Sequence, residues 1–298
     1  MRTRFPEWIR RVWGSGEDFS ATKTILDDLG LHTVCESARC PNIGECWRHR
    51  TATMMVLGNV CTRNCAFCSV RSGAPEPVDP DEPGRVAEAV RRLNLAHAVI
   101  TSVTRDDLAD GGASHVAQCV AAIRGSSPDT TVEVLVPDFQ GDRGAMLAVL
   151  AAGPEVFGHN IETVARLYPD LRDSRYDYAR SLAVLDAAAG AQSGVLVKSA
   201  LMVGHGETEA EVRETLEHLR DAGCEVVCIG QYLRPTRQQR EVVEFVEPER
   251  FKAYERLAYA LGFGFVAAGP FVRSSYRSAE AVRALRECTG APSAVQGA

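Results

Sequence analysis

The chain of 298 residues has no apolar run near the roughly 18 residues that a membrane-spanning helix needs, which argues against a membrane protein. Its opening segment, MRTRFPEWIRRVWGSGEDFS, contains no apolar core of the kind found in secretory signals. Glu7, Glu17 and Asp18, with the scarcity of serine, argue against a transit peptide. We therefore expect a cytoplasmic protein.

The chain also has fewer basic than acidic residues, 33 Lys and Arg against 39 Asp and Glu. The formal net charge is -6 and the pI is near 5.7, which argues against a nucleic-acid partner. With 45% hydrophobic and 24% charged residues, the chain has enough apolar mass for a sizeable core. The composition indicates an ordinary globular protein.

Cysteine, by contrast, is plentiful: six of the ten cysteines fall between residues 35 and 68. In a reducing compartment such thiols serve as metal ligands or core residues, not as disulfides. They form two separate triplets, in CESARCPNIGEC (35–46) and CTRNCAFC (61–68). A structural zinc site takes four ligands, so two sets of three fit that expectation poorly.

Short apolar runs alternate with helical patterns from residue 54 onward. Near-continuous apolar strands separated by helices predict a parallel sheet covered by helices. About six such units favour an α/β fold with a partial (β/α)6 barrel, and a three-layer doubly wound sheet is the alternative. The predicted strands are 54–60, 97–103, 131–137, 156–162, 195–203 and 225–233.

The barrel is predicted to span residues 54–240, between an N-terminal extension (1–53) and a C-terminal extension (241–298). A helix is expected at 208–222, with Val212, Leu216 and Leu219 on its buried face. The C-terminal extension is expected to add a helix near 248–262, a strand at 263–269 and a frayed tail at 290–298.

The second triplet, Cys61, Cys65 and Cys68, follows directly on the first predicted strand. In (β/α) barrels the loops at the carboxyl ends of the strands carry the chemistry. Three thiolates can hold three irons of a [4Fe–4S] cube and leave the fourth iron available to a cofactor. From spacing alone, a zinc site completed by a histidine is the alternative. The aromatic Phe67, between the last two cysteines, favours the iron–sulfur interpretation.

This CxxxCxxC segment resembles the signature of the radical S-adenosylmethionine (SAM) superfamily, in which the aromatic residue lies beside the adenine. The resemblance implies a partial barrel of the radical SAM type. Segment DGG resembles the glycine-rich stretch that approaches SAM, which implies that Gly111 and Gly112 contact it. Segment HNIET resembles the stretch whose Asn and acidic residue hold SAM, here Asn160 and Glu162.

The first triplet precedes the barrel and has the rarer spacing CxxxxCxxxxxC. Together with LHTVCESARCPNIGECW, ITSVTRDDLADGGA, IGQYLRP and GPFVRSSY, it makes the chain closely similar to the lipoyl synthase family. The similarity runs from about Pro6 to Tyr276, nearly the whole chain.

The resemblance implies a role for each triplet. Cys61, Cys65 and Cys68 would hold the SAM-cleaving [4Fe–4S] cluster. Ser275, the second Ser of RSSY, would join the first triplet as the fourth ligand of an auxiliary [4Fe–4S] cluster that supplies the sulfur. A hard oxygen ligand on a soft cluster is labile, which suits a cluster that is dismantled. The first-triplet ligands are Cys35, Cys40 and Cys46.

The implied activity is that of a transferase of lipoate biosynthesis, which inserts sulfur at C6 and C8 of a protein-bound octanoyl-lysine. Those carbons are unactivated, so a cofactor radical must reach them. The implied carriers are the glycine-cleavage H protein or the E2 subunit of a 2-oxoacid dehydrogenase. A flavodoxin or ferredoxin would supply electrons, and an iron–sulfur carrier would rebuild the consumed cluster.

Two other functions stay open at this point. One is a different radical SAM enzyme, either a methylthiotransferase or a sulfur-inserting enzyme with another substrate. The other is a non-enzymatic zinc-binding module, which metal analysis would separate from an iron–sulfur enzyme.

Two stretches depart from the family pattern. The usual His-x-Pro after QYLRP is replaced by Gln239, Arg240 and Glu241, and a usual Leu after the fifth strand is replaced by His205. A lone histidine in such a loop predicts a solvated side chain. Both changes leave the predicted cluster ligands intact and could alter substrate contacts.

The remaining cysteines are predicted to be structural. Cys224 and Cys228 fall on one face of a strand, and Cys119 falls on an apolar helix face. Cys288 lies near the tail.

Overall fold

A computed structural model describes residues 5–9, 16–191, 194–276 and 278–289. Its main sheet has eight strands in the order β1-β2-β5-β6-β7-β8-β9-β10, and β3 pairs separately with β4. The strands are β1 (His32–Thr33), β2 (Thr53–Val56), β3 (Val60–Cys61), β4 (Arg71–Ser72), β5 (His97–Ser102), β6 (Thr131–Leu135), β7 (Val156–Gly158), β8 (Leu196–Val203), β9 (Val226–Gln231) and β10 (Phe265–Gly269).

Helices connect and cover these strands. They are α1 (Glu17–Asp28), α2 (Val34–Ser37), α3 (Ile43–Arg48), α4 (Glu82–Leu93), α5 (Ala113–Ser126), α6 (Arg143–Ala151), α7 (Tyr168–Leu171), α8 (Tyr178–Ala189), α9 (Glu209–Asp221), α10 (Pro248–Ala260) and α11 (Ser278–Thr289). Short 3-10 turns form at Glu7–Ile9, Phe139–Gly141 and Ala165–Leu167.

The strand order decides between the two predicted architectures. Strand β2 and strands β5 to β10 run parallel and are neighbours in chain order, and β1 pairs antiparallel with β2. A doubly wound sheet reverses its order at a switch point, and this sheet has no such reversal. The predicted α/β class is confirmed, and the sequential order is that of a barrel-type sheet.

All six predicted strands are present, and the sheet continues beyond them. Strand β10, expected in a C-terminal addition, pairs in parallel with β9 from Phe265↔Val226 to Gly269↔Gly230. It is therefore a seventh parallel strand, which covers an edge of β9 that would otherwise expose unpaired backbone groups. Through β1 and β10, the sheet extends past both predicted segment boundaries.

Helix α9 shows how local sequence sets an element. Thr208 and Glu211 form a reciprocal capping box at its start, and Gly223, with φ +77°, follows its end. Val212, Leu216 and Leu219 are buried, as predicted. Helix α10 likewise matches the helix expected near 248–262.

The other predicted features have different outcomes. Cys119, Cys224 and Cys228 are buried, which confirms them as core thiols. The side chain of Cys288 and the tail at 290–298 lie outside the described residues. Within the described part of the chain, no helix combines the length and the apolar character that crossing a membrane requires.

A buried polar cluster lies on the strands that lead to the candidate site. Lys198 on β8 donates to both carboxylate oxygens of Glu133 on β6, at 2.9 and 3.0 Å, and to Ser278 Oγ at 2.7 Å. Burial opposes ionisation of Glu133, but Lys198 outweighs it and holds the pKa of Glu133 below its ordinary value. Because Ser278 begins α11, this pair anchors the chain just after RSSY.

Candidate active site

A cavity of about 320 Å³ collects most of the predicted site residues. Its volume lies at the small end of the roughly 300–1,000 Å³ typical of small-molecule sites. Residues 101–104, Leu135 and Met202 place it at the carboxyl ends of the parallel strands, where barrel enzymes carry their chemistry. The predicted residues in its wall are Cys35, Cys40, Cys61, Cys65, Phe67, Cys68, Asn160, Glu162 and Ser275.

The second triplet is held by backbone N–H groups that point at sulfur. Arg63 donates to Cys61 Sγ and Asp173 donates to Cys65 Sγ, both at 3.4 Å. The backbone N–H of Val70 likewise donates to the sulfur of Cys68. Hydrogen bonds of this kind orient metal-bound thiolates and tune iron–sulfur clusters, so the donor set fits such a group.

The surroundings of Cys65 and Cys68 oppose ionisation of these two thiols. Burial raises the pKa of Cys68 to about 12, and burial raises the pKa of Cys65 although Arg172 opposes it. Coordination deprotonates a thiol outright, so cluster insertion must release protons. Among the described side chains, no three His, Cys, Asp or Glu residues are grouped as ligands of one ion.

Asn160 and Glu162 follow β7 and face the same cavity. Glu162 has a φ of +68°, a left-handed conformation that is strained for a residue with a side chain. Asn160 donates to Glu162 Oε1 at 3.2 Å, and Glu162 N–H donates to the carbonyl of Ala200 at 2.9 Å. Burial raises the pKa of Glu162, and Arg172 opposes that shift. The fixed carboxylate can accept hydrogen bonds from vicinal hydroxyls such as those of a ribose.

Arg172 and Tyr176 form a wall that sequence reasoning missed. The Arg172 guanidinium carbon lies 3.4 Å from the Tyr176 ring centre, and that of Arg63 lies 3.9 Å from it. Burial opposes the charge of Arg172, but Tyr176 and Cys65 hold its pKa above the ordinary value. A buried guanidinium is suited to bind a carboxylate, such as that of a methionine group. In the sequence, LRDSRYDYAR gives no local sign of which arginine is buried.

Gly111 and Gly112 are not among the residues that line the cavity. Both have positive φ, +61° and +89°, and a β-carbon at Gly112 would collide with the side chain of Leu57. Close packing therefore explains these glycines. At this strand end, residues 101–104 form part of the cavity wall. The contact of Gly111 and Gly112 with SAM stays a prediction.

The first triplet lies on two short helices of the N-terminal extension and on the segment between them. Cys35 is buried in α2, Cys40 follows it, and Cys46 is half-buried in α3. Burial and the neighbouring Cys40 raise the pKa of Cys35 to about 11, while the backbone N–H of Thr53 lowers it. Cys46 packs against the core and is not among the cavity-lining residues.

The C-terminal segment that contains RSSY docks on this triplet. Asn42 donates to the carbonyl of Phe271 at 2.7 Å, and Tyr276 donates to Glu45 Oε1 at 3.0 Å. These contacts bring Ser275, far away in the sequence, to the same cavity as Cys35.

The loops that carry the two triplets also contact each other. Ser69 donates to the carbonyl of Ser37 at 2.9 Å, which joins the two cysteine-bearing loops. Ser274 donates to Asn160 Oδ1 at 3.0 Å, so the first serine of RSSY contacts the predicted SAM side. A group bound by either triplet would therefore face the other across one cavity.

Of the two family departures, the stretch after QYLRP lies beside the second triplet. Gln239 donates to the carbonyl of Cys68 at 3.1 Å, and the Arg240 N–H donates to the carbonyl of Ala66 at 2.9 Å. The expectation of a solvated His205 is wrong: the side chain is 2% exposed and its ring stacks on Tyr232, with 4.1 Å between centroids. Burial, helped by Arg240, lowers the pKa of His205 to about 4.

Comparison with protein families gives two matches. Residues 55–219 match the model of the radical SAM superfamily, and residues 1–40 match that of the N-terminal domain of lipoyl synthase. The first match contains the second triplet and the Asn160 segment, and the second contains Cys35 and Cys40.

Several lipoyl synthases are similar over almost the whole chain. That of Caldanaerobacter subterraneus subsp. tengcongensis is 52% identical over 278 residues, which cover 93% of this chain and 97% of the relative. That of Caldicellulosiruptor saccharolyticus is 49% identical and covers 96% and 100%. That of Thermus thermophilus is 52% identical and covers 92% and 85%.

Among solved structures, the fold is similar to that of methylornithine synthase, with a TM-score of 0.54 and 13% identity over 93% of this chain and 94% of the other. It is also similar to a maturase of the [FeFe]-hydrogenase, with a TM-score of 0.59 and 13% identity over 90% and 67%. At this level of identity the likeness concerns the fold alone.

Proposed function

This chain belongs to the lipoyl synthase family of the radical SAM superfamily, and from that premise we propose that it converts protein-bound octanoyl-lysine to lipoyl-lysine. The observation that carries the proposal is the shared cavity: it is lined by Cys35 and Cys40 of the first triplet, by all three cysteines of the second triplet, by Ser275, and by Asn160 and Glu162. One substrate chain can therefore reach both predicted cofactors without leaving the site.

When bound, SAM and the two [4Fe–4S] clusters supply the radical that removes hydrogen from unactivated carbons and the sulfur that replaces it. The chain's own residues bind and orient these groups. Cys61, Cys65 and Cys68 would be the thiolate ligands of the cluster that meets SAM, held by the N–H groups already described. Phe67, half-buried in this loop, would pack beside the adenine.

The remaining contacts to SAM would come from the segment after β7 and from the residue that follows α7. Glu162 would accept hydrogen bonds from the ribose hydroxyls, and Asn160 fixes its carboxylate. Arg172, buried and charged, would hold the methionine carboxylate.

The other side of the cavity would hold the auxiliary cluster. Cys35, Cys40 and Cys46 would be its thiolate ligands, and Ser275 its oxygen ligand. Ser275 reaches this position through the contacts of residues 42 and 45 with 271 and 276. A single oxygen ligand makes one corner of the cluster weak, which suits a cluster that gives up its sulfur.

The chain acts on lipoyl carrier proteins. We infer that these are the glycine-cleavage H protein or the E2 subunit of a 2-oxoacid dehydrogenase in octanoylated form. We also infer that a flavodoxin or ferredoxin reduces the SAM-binding cluster and that an iron–sulfur carrier rebuilds the auxiliary one.

The test is anaerobic turnover with SAM and an octanoyl-lysine peptide, followed by mass spectrometry. The expected product carries two added sulfurs and lacks two hydrogens, and the reconstituted protein should contain about eight irons per chain, four for each triplet. A methylthio product would assign the chain to another reaction. Iron that stays near half this value would overturn the two-cluster proposal.

A further inference from the structure

Thr53 is the first residue of β2 and contacts both the N-terminal extension, which carries Cys35, and the RSSY segment, which carries Ser275. Its hydroxyl donates to Ser275 Oγ at 2.9 Å. Its backbone N–H points at the sulfur of Cys35. Thr53 is buried, with 6% of its surface exposed, and it lines the shared cavity. One residue thus contacts a thiol from the N-terminal extension and a hydroxyl from RSSY.

The two partners differ in how firmly they are held. Strand β2 is paired on both sides, with β1 through Met54↔Thr33 and with β5 through Thr53↔Val99. A threonine is also stiff at χ1 because it is branched at Cβ. Ser275, by contrast, lies in a turn, and an unbranched serine hydroxyl can rotate among three positions. The hydrogen bond from Thr53 therefore restricts the Ser275 oxygen to one position relative to the sheet.

The docking contacts of this segment do not act on that oxygen directly. Asn42 holds the carbonyl of Phe271, and Glu45 holds the hydroxyl of Tyr276. They place the backbone of the turn, whereas Thr53 contacts the Oγ atom of Ser275 itself. Ligands of metal groups are commonly oriented by such outer partners, whose loss weakens binding.

We propose that Thr53 is a positioning residue that holds the Ser275 oxygen as the fourth ligand of the auxiliary cluster, in register with Cys35. This inference rests on the proposed function, because it requires Ser275 to be a ligand.

The experiment measures how fast a chelator removes iron from the auxiliary cluster. It uses the full-length chain with Cys61, Cys65 and Cys68 replaced by Ala, so that only the first group is reconstituted. Thr53→Val keeps the branched shape and removes the hydroxyl, and it should speed iron loss about five-fold, as expected for one lost hydrogen bond. Ser275→Ala should speed it at least as much. Thr53→Ser, which keeps the hydroxyl, should match the parent.

The double variant Thr53→Val/Ser275→Ala decides whether Thr53 acts through Ser275. Its rate should equal that of Ser275→Ala alone, because the second change removes what the first would disturb. Additive effects would overturn the proposal. The proposal is also overturned if Thr53→Val leaves the rate of iron loss unchanged while Ser275→Ala raises it. If Ser275→Ala itself leaves the rate of iron loss unchanged, Ser275 is not a ligand of the cluster. The proposed ligand set then fails, and this inference fails with it.

A second measurement separates positioning from general loss of structure. In the chain with both cysteine groups intact, Thr53→Val should continue to cleave SAM to 5′-deoxyadenosine while lipoyl product falls. If SAM cleavage also stops, Thr53 supports the whole site and the proposal is wrong. Restoration of product by Thr53→Ser is the supporting result.

Discussion

The two cysteine triplets differ in how the chain assembles them. Cys61 ends β3, and Cys65 and Cys68 lie in the loop that follows it. Backbone N–H groups from this loop contact the sulfurs of Cys61 and Cys68, and that of Asp173 contacts the sulfur of Cys65. The first triplet lies on α2, on α3 and between them, and Ser275 from the other end of the chain lines the same cavity as its Cys35 and Cys40. The second triplet is therefore contained in one short segment, whereas the ligand set that we propose for the first forms only when two distant segments meet.

This difference matches the roles that we propose for the two groups. A cluster that binds SAM in every turnover gains from a compact loop that Gln239 and Arg240 also hold in place. A cluster that is consumed gains from a ligand on a separate segment, since that ligand can detach without disturbing the three cysteines. The contrast can be tested by changing one group at a time.

The largest expected effect is the loss of SAM cleavage when the second triplet is broken. Cys65→Ala should form no 5′-deoxyadenosine above background, because the cluster that meets SAM loses a ligand. Cys40→Ala should still form 5′-deoxyadenosine but no thiolated peptide. The assay counts both products side by side, and sulfur insertion by Cys40→Ala would contradict the division of roles.

The adjacent serines of RSSY offer a sharper version of the same contrast. Ser275→Ala should keep SAM cleavage and lose most lipoyl product, because only the auxiliary ligand is removed. Ser274→Ala is the matched control, since Ser274 contacts Asn160 on the SAM side. It should keep sulfur insertion and raise KM for SAM by about five-fold, as expected for one hydrogen bond. Wild-type lipoyl yield from Ser275→Ala would disprove its assignment as a ligand.

Arg172→Gln should weaken the binding of SAM without affecting the first triplet. Loss of a buried charge that faces a carboxylate costs about 2 kcal/mol or more, so KM for SAM should rise by about 30-fold. Iron bound by the first triplet should not change. Arg91→Gln, on the exposed face of α4, is the control and should leave KM unchanged. An unchanged KM in Arg172→Gln would show that SAM is bound without this guanidinium.

The smallest effect concerns His205, beside the second group. Its pKa of about 4 lies below the ordinary value of 6.5, so the unfolded chain binds more protons between these values and stability falls as the pH drops through this window. Because the unfolded chain takes up this proton more readily, the free energy of unfolding should fall by about 1 kcal/mol between pH 7.5 and 6.0. His205→Leu, the usual family residue, should remove that part of the pH dependence in anaerobic thermal unfolding.

His205→Gln provides the control for this last experiment. It removes the titrating ring but keeps a polar side chain, so its pH dependence should match that of His205→Leu even if its stability differs. A variant pair that keeps the wild-type slope would show that another group causes the acid sensitivity.

Features that depend on neighbours along the chain could be predicted from local sequence. Both triplets, the alternation of strands and helices, and the capping box of α9 are local patterns, and the structure contains the predicted elements at nearly the predicted positions. The family resemblance added Ser275, which no spacing rule could have selected. Local signals suffice here because strand faces, helix faces and ligand spacing repeat over a few residues.

Which distant residues share the site depends on how remote segments pack together. Thr53 and Ser275 are 222 positions apart, and their hydrogen bond has no local signature. His205 stacks on Tyr232, which comes from another segment of the chain. Arg172 packs against Tyr176 of its own segment, but Arg63, which shares that ring, comes from the loop of the second triplet. Gly112 faces Leu57 and not the cavity, and β10 joins the main sheet, because packing against distant surfaces sets both. Contacts between remote segments form only when the chain closes on itself, so their consequences for burial and charge cannot be read from local sequence.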